Sequence, residues 1–172
     1  MNFSDYKATV FRRDGHVLHA TLNRPETMNA FDDDLHADFL RLFDDVAKDK
    51  ETNVLVLTGA GRAFSAGGNI EEMQRAIEDP EIFRVGVEIG KEHIEAILDC
   101  PKPVIAKVNG PAIGLGATMA LFCDIVIAAK NARIADPHVQ MGLSAGDGGA
   151  LTWPALIGFA RAKPLQIGRA HV

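Results

Sequence analysis

Two glycine-rich segments, each entered from a short aliphatic run and each opening toward a helical pattern, constrain this chain more than any other feature. The first is Gly61-Arg62-Ala63-Phe64-Ser65-Ala66-Gly67-Gly68-Asn69-Ile70, which follows Val54-Leu55-Val56-Leu57. The second is Val108-Asn109-Gly110-Pro111-Ala112-Ile113-Gly114-Leu115-Gly116-Ala117, which follows Val104-Ile105-Ala106. Val54 to Leu57 is apolar on both alternating faces, as expected of a strand covered on both sides. Strands that pass through such loops into helices, and then into further buried strands, belong to an α/β chain with a mostly parallel sheet.

The remaining pattern agrees with that class. Val10 to Arg13 and Val17 to Leu22 read as strands around Asp14-Gly15, a hairpin turn signal. Asp32 to Asp34 offer N-caps for a helix with Leu35, Phe39, Leu42, Phe43 and Val46 on its apolar side. Asp38, Arg41, Asp44, Asp45 and Lys48 fill the other side. A longer helix is expected to carry Phe83, Val87, Ile94, Ile97 and Leu98 on one stripe and to close at Cys100-Pro101. Ala117 to Phe122 and Ile125 to Ala128 follow as further apolar segments. With 172 residues and no internal repeat, one domain is expected.

A net charge of −5 and scattered basic residues argue against a nucleic-acid partner, so an anionic ligand would have to be held by local features. No apolar run reaches the roughly 18 residues of a spanning helix, so no membrane partner is expected. The N-terminus lacks a basic region followed by an apolar stretch. Cys100 and Cys123 lack metal-ligand spacing and read as two buried thiols in a reducing compartment, so the expected location is cytoplasmic.

In the two loops, small residues let backbone N–H groups approach a ligand closely, and a following helix N-terminus adds partial positive charge. Taken singly, either loop reads as a tight turn with close helix–strand packing. Two N–H groups from separate loops aimed at one point would instead form an oxyanion hole.

Together with other blocks, these loops resemble the crotonase (enoyl-CoA hydratase/isomerase) superfamily. Leu22-Asn23-Arg24-Pro25 with Met28-Asn29-Ala30 resembles its first block, and Phe64-Ser65-Ala66-Gly67-Gly68-Asn69-Ile70 its second. Lys102-Pro103-Val104-Ile105-Ala106 through Asn109-Gly110, and Cys123-Asp124-Ile125-Val126-Ile127-Ala128, resemble the third and fourth. The likeness covers nearly all of residues 8 to 165. It implies a spiral of ββα turns, an acyl-CoA thioester substrate, and a thioester enolate held by two backbone N–H groups. Those donors fall on Gly68 and Leu115, the latter in place of the usual glycine. Ala66, Gly67, Gly68, Asn69, Ile70 and Gly114 would line the CoA and acyl path. No metal or redox cofactor is implied, since CoA arrives with the substrate.

The acid/base positions depart from the family pattern. The two glutamates of its hydratases correspond to Thr118 and His138, so a two-glutamate mechanism is not assigned. Asp147, in Gly146-Asp147-Gly148-Gly149, stands where some members carry an active-site acid; it suits a helix N-cap equally, and both roles stay open. His138 is the other catalytic candidate, expected to titrate near neutral pH. Asp136, before Pro137, reads as a turn residue. Glu71 and Glu72 read as an exposed helix start, and His16, His19, His36 and His93 as scattered residues without metal-ligand spacing.

The expected function is an enoyl-CoA hydratase or isomerase. The alternatives are a crotonase-fold hydrolase of a β-diketone and a non-catalytic acyl-CoA-binding protein. The family fold continues beyond this length with helices that complete the acyl pocket and build a homotrimer or hexamer. We therefore read residues 1–165 as an incomplete N-terminal core. Residues 166–172 do not resemble the family; the codons CAG-ATC-GGA-AGA-GCA-CAC-GTC would encode them, nearly a common sequencing-adapter string. They are expected to be a non-native tail, and His171 receives no functional role.

Overall fold

The computed structural model describes residues 2–167. The chain opens with a hairpin, β1 (Thr9–Asp14) and β2 (Val17–Leu22), followed by helix α1 (Asp33–Lys48) and strand β3 (Val54–Gly59). Helices α2 (Ile70–Glu78) and α3 (Pro80–Leu98) lead into β4 (Val104–Val108). Then come β5 (Ala112–Ile113), α4 (Leu115–Phe122), β6 (Ile125–Ala128), β7 (Ile134–Ala135), α5 (Gly149–Ile157) and α6 (Phe159–Gln166). The main sheet runs β1-β2-β3-β4-β6, with only the β1–β2 pair antiparallel, and β5 pairs with β7 in a small parallel ribbon. This is the α/β architecture expected from the strand–helix alternation. Of the expected tail, Gln166 closes α6 and residues 168–172 lie outside the described residues.

Helix α1 shows how the sequence pattern is realised. Asp32 caps it by accepting from the Leu35 N–H at 2.8 Å, and Leu35, Phe39, Leu42, Phe43 and Val46 are all buried. Asp38 departs from the expected polar side: it is buried, because its carboxylate accepts from the backbone N–H groups of Lys7 and Ala8. Two orphan donors before β1 are satisfied by one turn of α1.

The stripe expected on the long helix is only partly a core face. Ile97 is buried, but Phe83, Val87 and Leu98 are exposed, and the fully buried side chain is His93. Asp79 also starts a new helix at Pro80, so residues 70–98 form two helices rather than one. His93 packs against the rings of Phe31 and Phe39, and its Nε2 lies 3.4 Å from His36 Nδ1. Two histidines that look scattered in sequence are thus neighbours. Among the described residues no cluster suited to a metal ion is formed. Cys123 is buried and Cys100 half-buried, both as free thiols.

Parallel pairing places Leu22 opposite Gly59 and Leu57 opposite Ala106, so the first block and both glycine loops emerge at one edge of the sheet. Open parallel sheets bind ligands at that carboxyl edge. The blocks are tied there by Asn29, fully buried and left-handed (φ 56°). Its Nδ2 donates to the carbonyls of Ala60, Ala63 and Phe64, and its Oδ1 accepts from Arg24 N–H at 2.9 Å. Gly59 makes room for this return of the chain: a Cβ there would lie 2.2 Å from the Ala63 oxygen.

Replacing Asn29 with Ala leaves the carbonyls of Ala60, Ala63 and Phe64 without that donor and keeps a β-carbon in the αL region without the local hydrogen bonds that let Asn adopt it. We expect a loss of about 3 kcal/mol, measured by urea unfolding with an unchanged m-value. Wild-type stability in this variant would contradict the role given to Asn29.

Candidate active site

The two glycine loops meet backbone to backbone. Ile113 N–H donates to Ser65 O at 2.9 Å, and Phe64 and Ser65 N–H groups donate to Pro111 O. On its other side β5 pairs with β7, so the second loop is held between the first loop and Ile134–Ala135. The first loop is pinned from behind: Ala66 N–H donates to Met28 O and Phe31 N–H to Gly67 O, at 2.9 and 2.8 Å. Ser65 Oγ donates to Asn29 O and accepts from Gly67 N–H.

Two glycines are required by this contact. Gly67 has φ 90°, and a β-carbon on it would lie 2.5 Å from Ile113 O and 3.3 Å from Leu115 N. Gly114 has φ 54° and ψ −121°, a conformation open essentially to glycine alone, and it is the N-cap of α4. Leu115 is the first residue of α4, where the opening N–H groups have no acceptor within the helix. Among the described residues, neither the Gly68 nor the Leu115 N–H donates to a protein oxygen.

Beside this junction lies a chain of charged and polar side chains from four elements. Thr118, buried on α4, donates through Oγ1 to Asp147 Oδ1 at 3.3 Å. His138, in the 3-10 turn after β7, places Nε2 3.0 Å from Asp147 Oδ2. That approach is close but poorly aligned, and Asp147 Oδ2 is a buried oxygen without a well-formed hydrogen bond. On its other edge, His138 Nδ1 bonds Asp136 Oδ1. The ring also lies against the start of α4, with Cε1 3.6 Å from where a Gly114 β-carbon would stand.

Paired by Asp136 and by Asp147, the His138 imidazole is pushed up to about 10 against the opposing effect of burial. The expectation of near-neutral titration is therefore corrected: two carboxylates hold the ring as an imidazolium through the physiological range. Burial pushes Asp136 up, yet the bonds and charge of His138 hold it below the usual carboxylate range.

Asp136 was expected to be only a turn residue. It does accept from the His138 N–H at 3.4 Å, as such a turn requires, but the same carboxylate also holds the His138 ring. The Asp-Pro-His spacing is the only sequence signal for this second contact. Asp147 accepts from Gly149 N–H at a long 3.4 Å, while the residue at the cap of α5 is Gly148, so capping is a weak part of its role. Gly148 itself is left-handed and packed against Phe122, Ile94 and Thr118.

Gly67 is thus brought against Leu115 and the loop of Gly114, with Gly68 next in the chain beside Met73, and His138, Asp147 and Thr118 are brought together. Asn69 and Ile70 stand apart. Asn69 Oδ1 caps α2 by accepting from Glu71 and Glu72 N–H groups, and the Ile70 side chain is 65% exposed.

A spiral of ββα turns with paired glycine loops at the carboxyl edge of its sheet defines the crotonase class of α/β proteins. A profile of the enoyl-CoA hydratase/isomerase family matches residues 12–169, and the chain belongs to that family. It is 38% identical to the 1,2-epoxyphenylacetyl-CoA isomerase of Escherichia coli, over 88% of this chain and 58% of that protein. It is 36% identical to the short-chain-enoyl-CoA hydratase of Clostridium acetobutylicum, over 91% of this chain and 59% of the relative. A crystal structure of an enoyl-CoA hydratase/isomerase from Mycobacterium paratuberculosis superposes with a TM-score of 0.87 at 42% identity, covering 93% of this chain and 64% of that one. The chain therefore spans about three-fifths of the length of the relatives it matches. No helix among the described residues is long and apolar enough to cross a membrane.

His138 in the site and His93 in the core shape the pH dependence of stability. His138 is raised to about 10 in the fold, so its contribution is complete below the unfolded value of roughly 6.5 and is lost as pH climbs toward 10. Burial pushes His93 down to about 3, so unfolding takes up a proton below about pH 6.5 and stability falls toward pH 3. Melting temperatures should peak between these limits. His138→Gln should flatten the alkaline fall and His93→Leu the acid fall above pH 4. Unchanged slopes in both variants would refute this account.

Proposed function

We propose that this chain carries the site of an enoyl-CoA isomerase in which Asp147 moves a single proton across a thioester enolate. One observation carries the reading: Asp147 Oδ2 is buried, 3.0 Å from the His138 imidazolium, and not engaged in a well-formed hydrogen bond. An oxygen so placed has a lone pair free for a carbon-bound proton. Hydration needs a second group to complete paired proton transfers. Thr118 and a His138 held as a strong cation supply that poorly, which favours isomerisation over hydration.

In a 3-enoyl thioester, Asp147 takes the proton from C2 and the electron pair moves into the thioester carbonyl. The enolate oxygen accepts from the Gly68 and Leu115 N–H groups, both without protein acceptors. Asp147 then returns the proton to C4, and the double bond stands between C2 and C3. His138 holds the carboxylate and adds fixed positive charge beside α4. Ala66, Gly67, Gly68, Asn69, Ile70 and Gly114 line the CoA and acyl path, with exposed Ile70 available to the adenine. The CoA-thioester enzymes among the relatives support this substrate class. Exposed Ile125, Ile127 and Phe159 support burial in a homotrimer or hexamer.

The test is conversion of a 3-enoyl-CoA to its conjugated 2-enoyl isomer, followed by ultraviolet absorbance. Asp147→Asn should lower turnover by about a thousandfold while acyl-CoA still binds. Wild-type turnover in that variant would overturn the reading. So would cleavage of a cyclic diketone without enoyl turnover, or acyl-CoA binding by the wild type with no turnover.

A second variant probes the hole itself. Gly67→Ala, which drives a β-carbon into Ile113 O and so displaces the loop backbone, should reduce kcat by about a hundredfold or more while circular dichroism still shows the overall secondary structure. Full activity in this variant would remove the case for the hole.

A further inference from the structure

We propose that Asp136 is a positioning residue for the proton transfer, holding the His138 ring so that Nε2 faces Asp147. This rests on the reading of Asp147 as the base. The side chain of Asp136 is only 2% exposed, and a buried carboxylate needs a compensating partner. Its Oδ1 takes both the His138 Nδ1–H and, at 3.4 Å, the His138 backbone N–H, so the ring and its own main chain are fixed by one atom. With Nδ1 committed, the ring can turn only Nε2 toward Asp147.

The other oxygen of Asp136 sits at the start of α5. A β-carbon on Gly149 would lie 2.3 Å from Asp136 Oδ2, so only glycine admits the carboxylate at this helix terminus. Its remaining contact is a long 3.4 Å one from Gln166 Nε2. The two charged groups facing the His138 ring are therefore Asp136 from the end of β7 and Asp147 from the loop before α5; Thr118 and Gly114, from α4 and its cap, are uncharged. Without Asp136, the ring would be free to rotate and to lose its proton. Asp147 would then lose its fixed cation.

Histidine-selective 15N NMR of the chain tests this without needing turnover. In the wild type both His138 ring nitrogens should stay protonated to at least about pH 8, with a low-field Nδ1 proton. Asp136→Asn, nearly isosteric, should bring the ring's titration midpoint down by about two pH units. It should lower kcat about tenfold at pH 7, leave KM within about twofold, and shift the pH profile of kcat/KM. Asp147→Asn should lower turnover by about a thousandfold yet keep the low-field Nδ1 proton. A wild-type ring that titrates near 6.5 overturns the proposal even if Asp136→Asn fails to fold. An Asp136→Asn protein with unchanged midpoint and pH profile overturns it too. If the midpoint falls as expected but the wild type turns over no enoyl-CoA, the positioning role stands and the isomerase reading fails.

Discussion

A single buried amide holds the active-site edge of this protein in shape. Asn29 has no solvent exposure, and its side chain reaches the carbonyls of Ala60, Ala63 and Phe64 while its Oδ1 holds Arg24. The loop after β3 has no sheet or helix partner for these carbonyls, so a side chain must supply one. Ser65 continues the clamp by bonding Asn29 O and Gly67 N–H, and Phe31 N–H then fixes Gly67 O. The two amides proposed for an oxyanion hole follow this network, because the Gly67 backbone is what packs against Ile113 and Leu115. Preorganised donors are effective only when the backbone carrying them does not move.

The charged chain from Asp136 through His138 to Asp147 obeys the same demand for satisfaction, in electrostatic terms. Each of these side chains is largely withdrawn from water. A lone buried charge would be expelled or neutralised, but the pairing of Asp136 with His138 lets both remain ionised. The arrangement leaves one oxygen, Asp147 Oδ2, incompletely bonded. The carboxylate reaches α4 through Thr118, whose Oγ1 donates to its other oxygen.

The outer surface is under different physical constraints. β6 is at the edge of the main sheet, with Ile125, Val126 and Ile127 exposed, and Leu151, Leu156 and Phe159 are exposed on α5 and α6. An apolar edge strand of this kind is a template for further pairing. These patches belong to a chain that spans about three-fifths of its relatives' length.

Local pattern was enough for much of this protein. The hairpin at Asp14-Gly15, the cap and apolar stripe of α1, and the buried strand at Val54–Leu57 follow from turn chemistry and side-chain periodicity, which act over a few residues. The four blocks likewise identified the family. What local pattern could not reach were contacts between distant segments. Asp38 looked like a surface residue because its partners are 30 residues away; His93 looked isolated because His36 lies across two helices; Asp136 looked like a turn because its second role needs the His138 ring. Residue type and spacing determined which elements form. Only tertiary packing decided which polar groups face one another, and the carboxylates it brings against His138 set the charge on that ring in spite of burial.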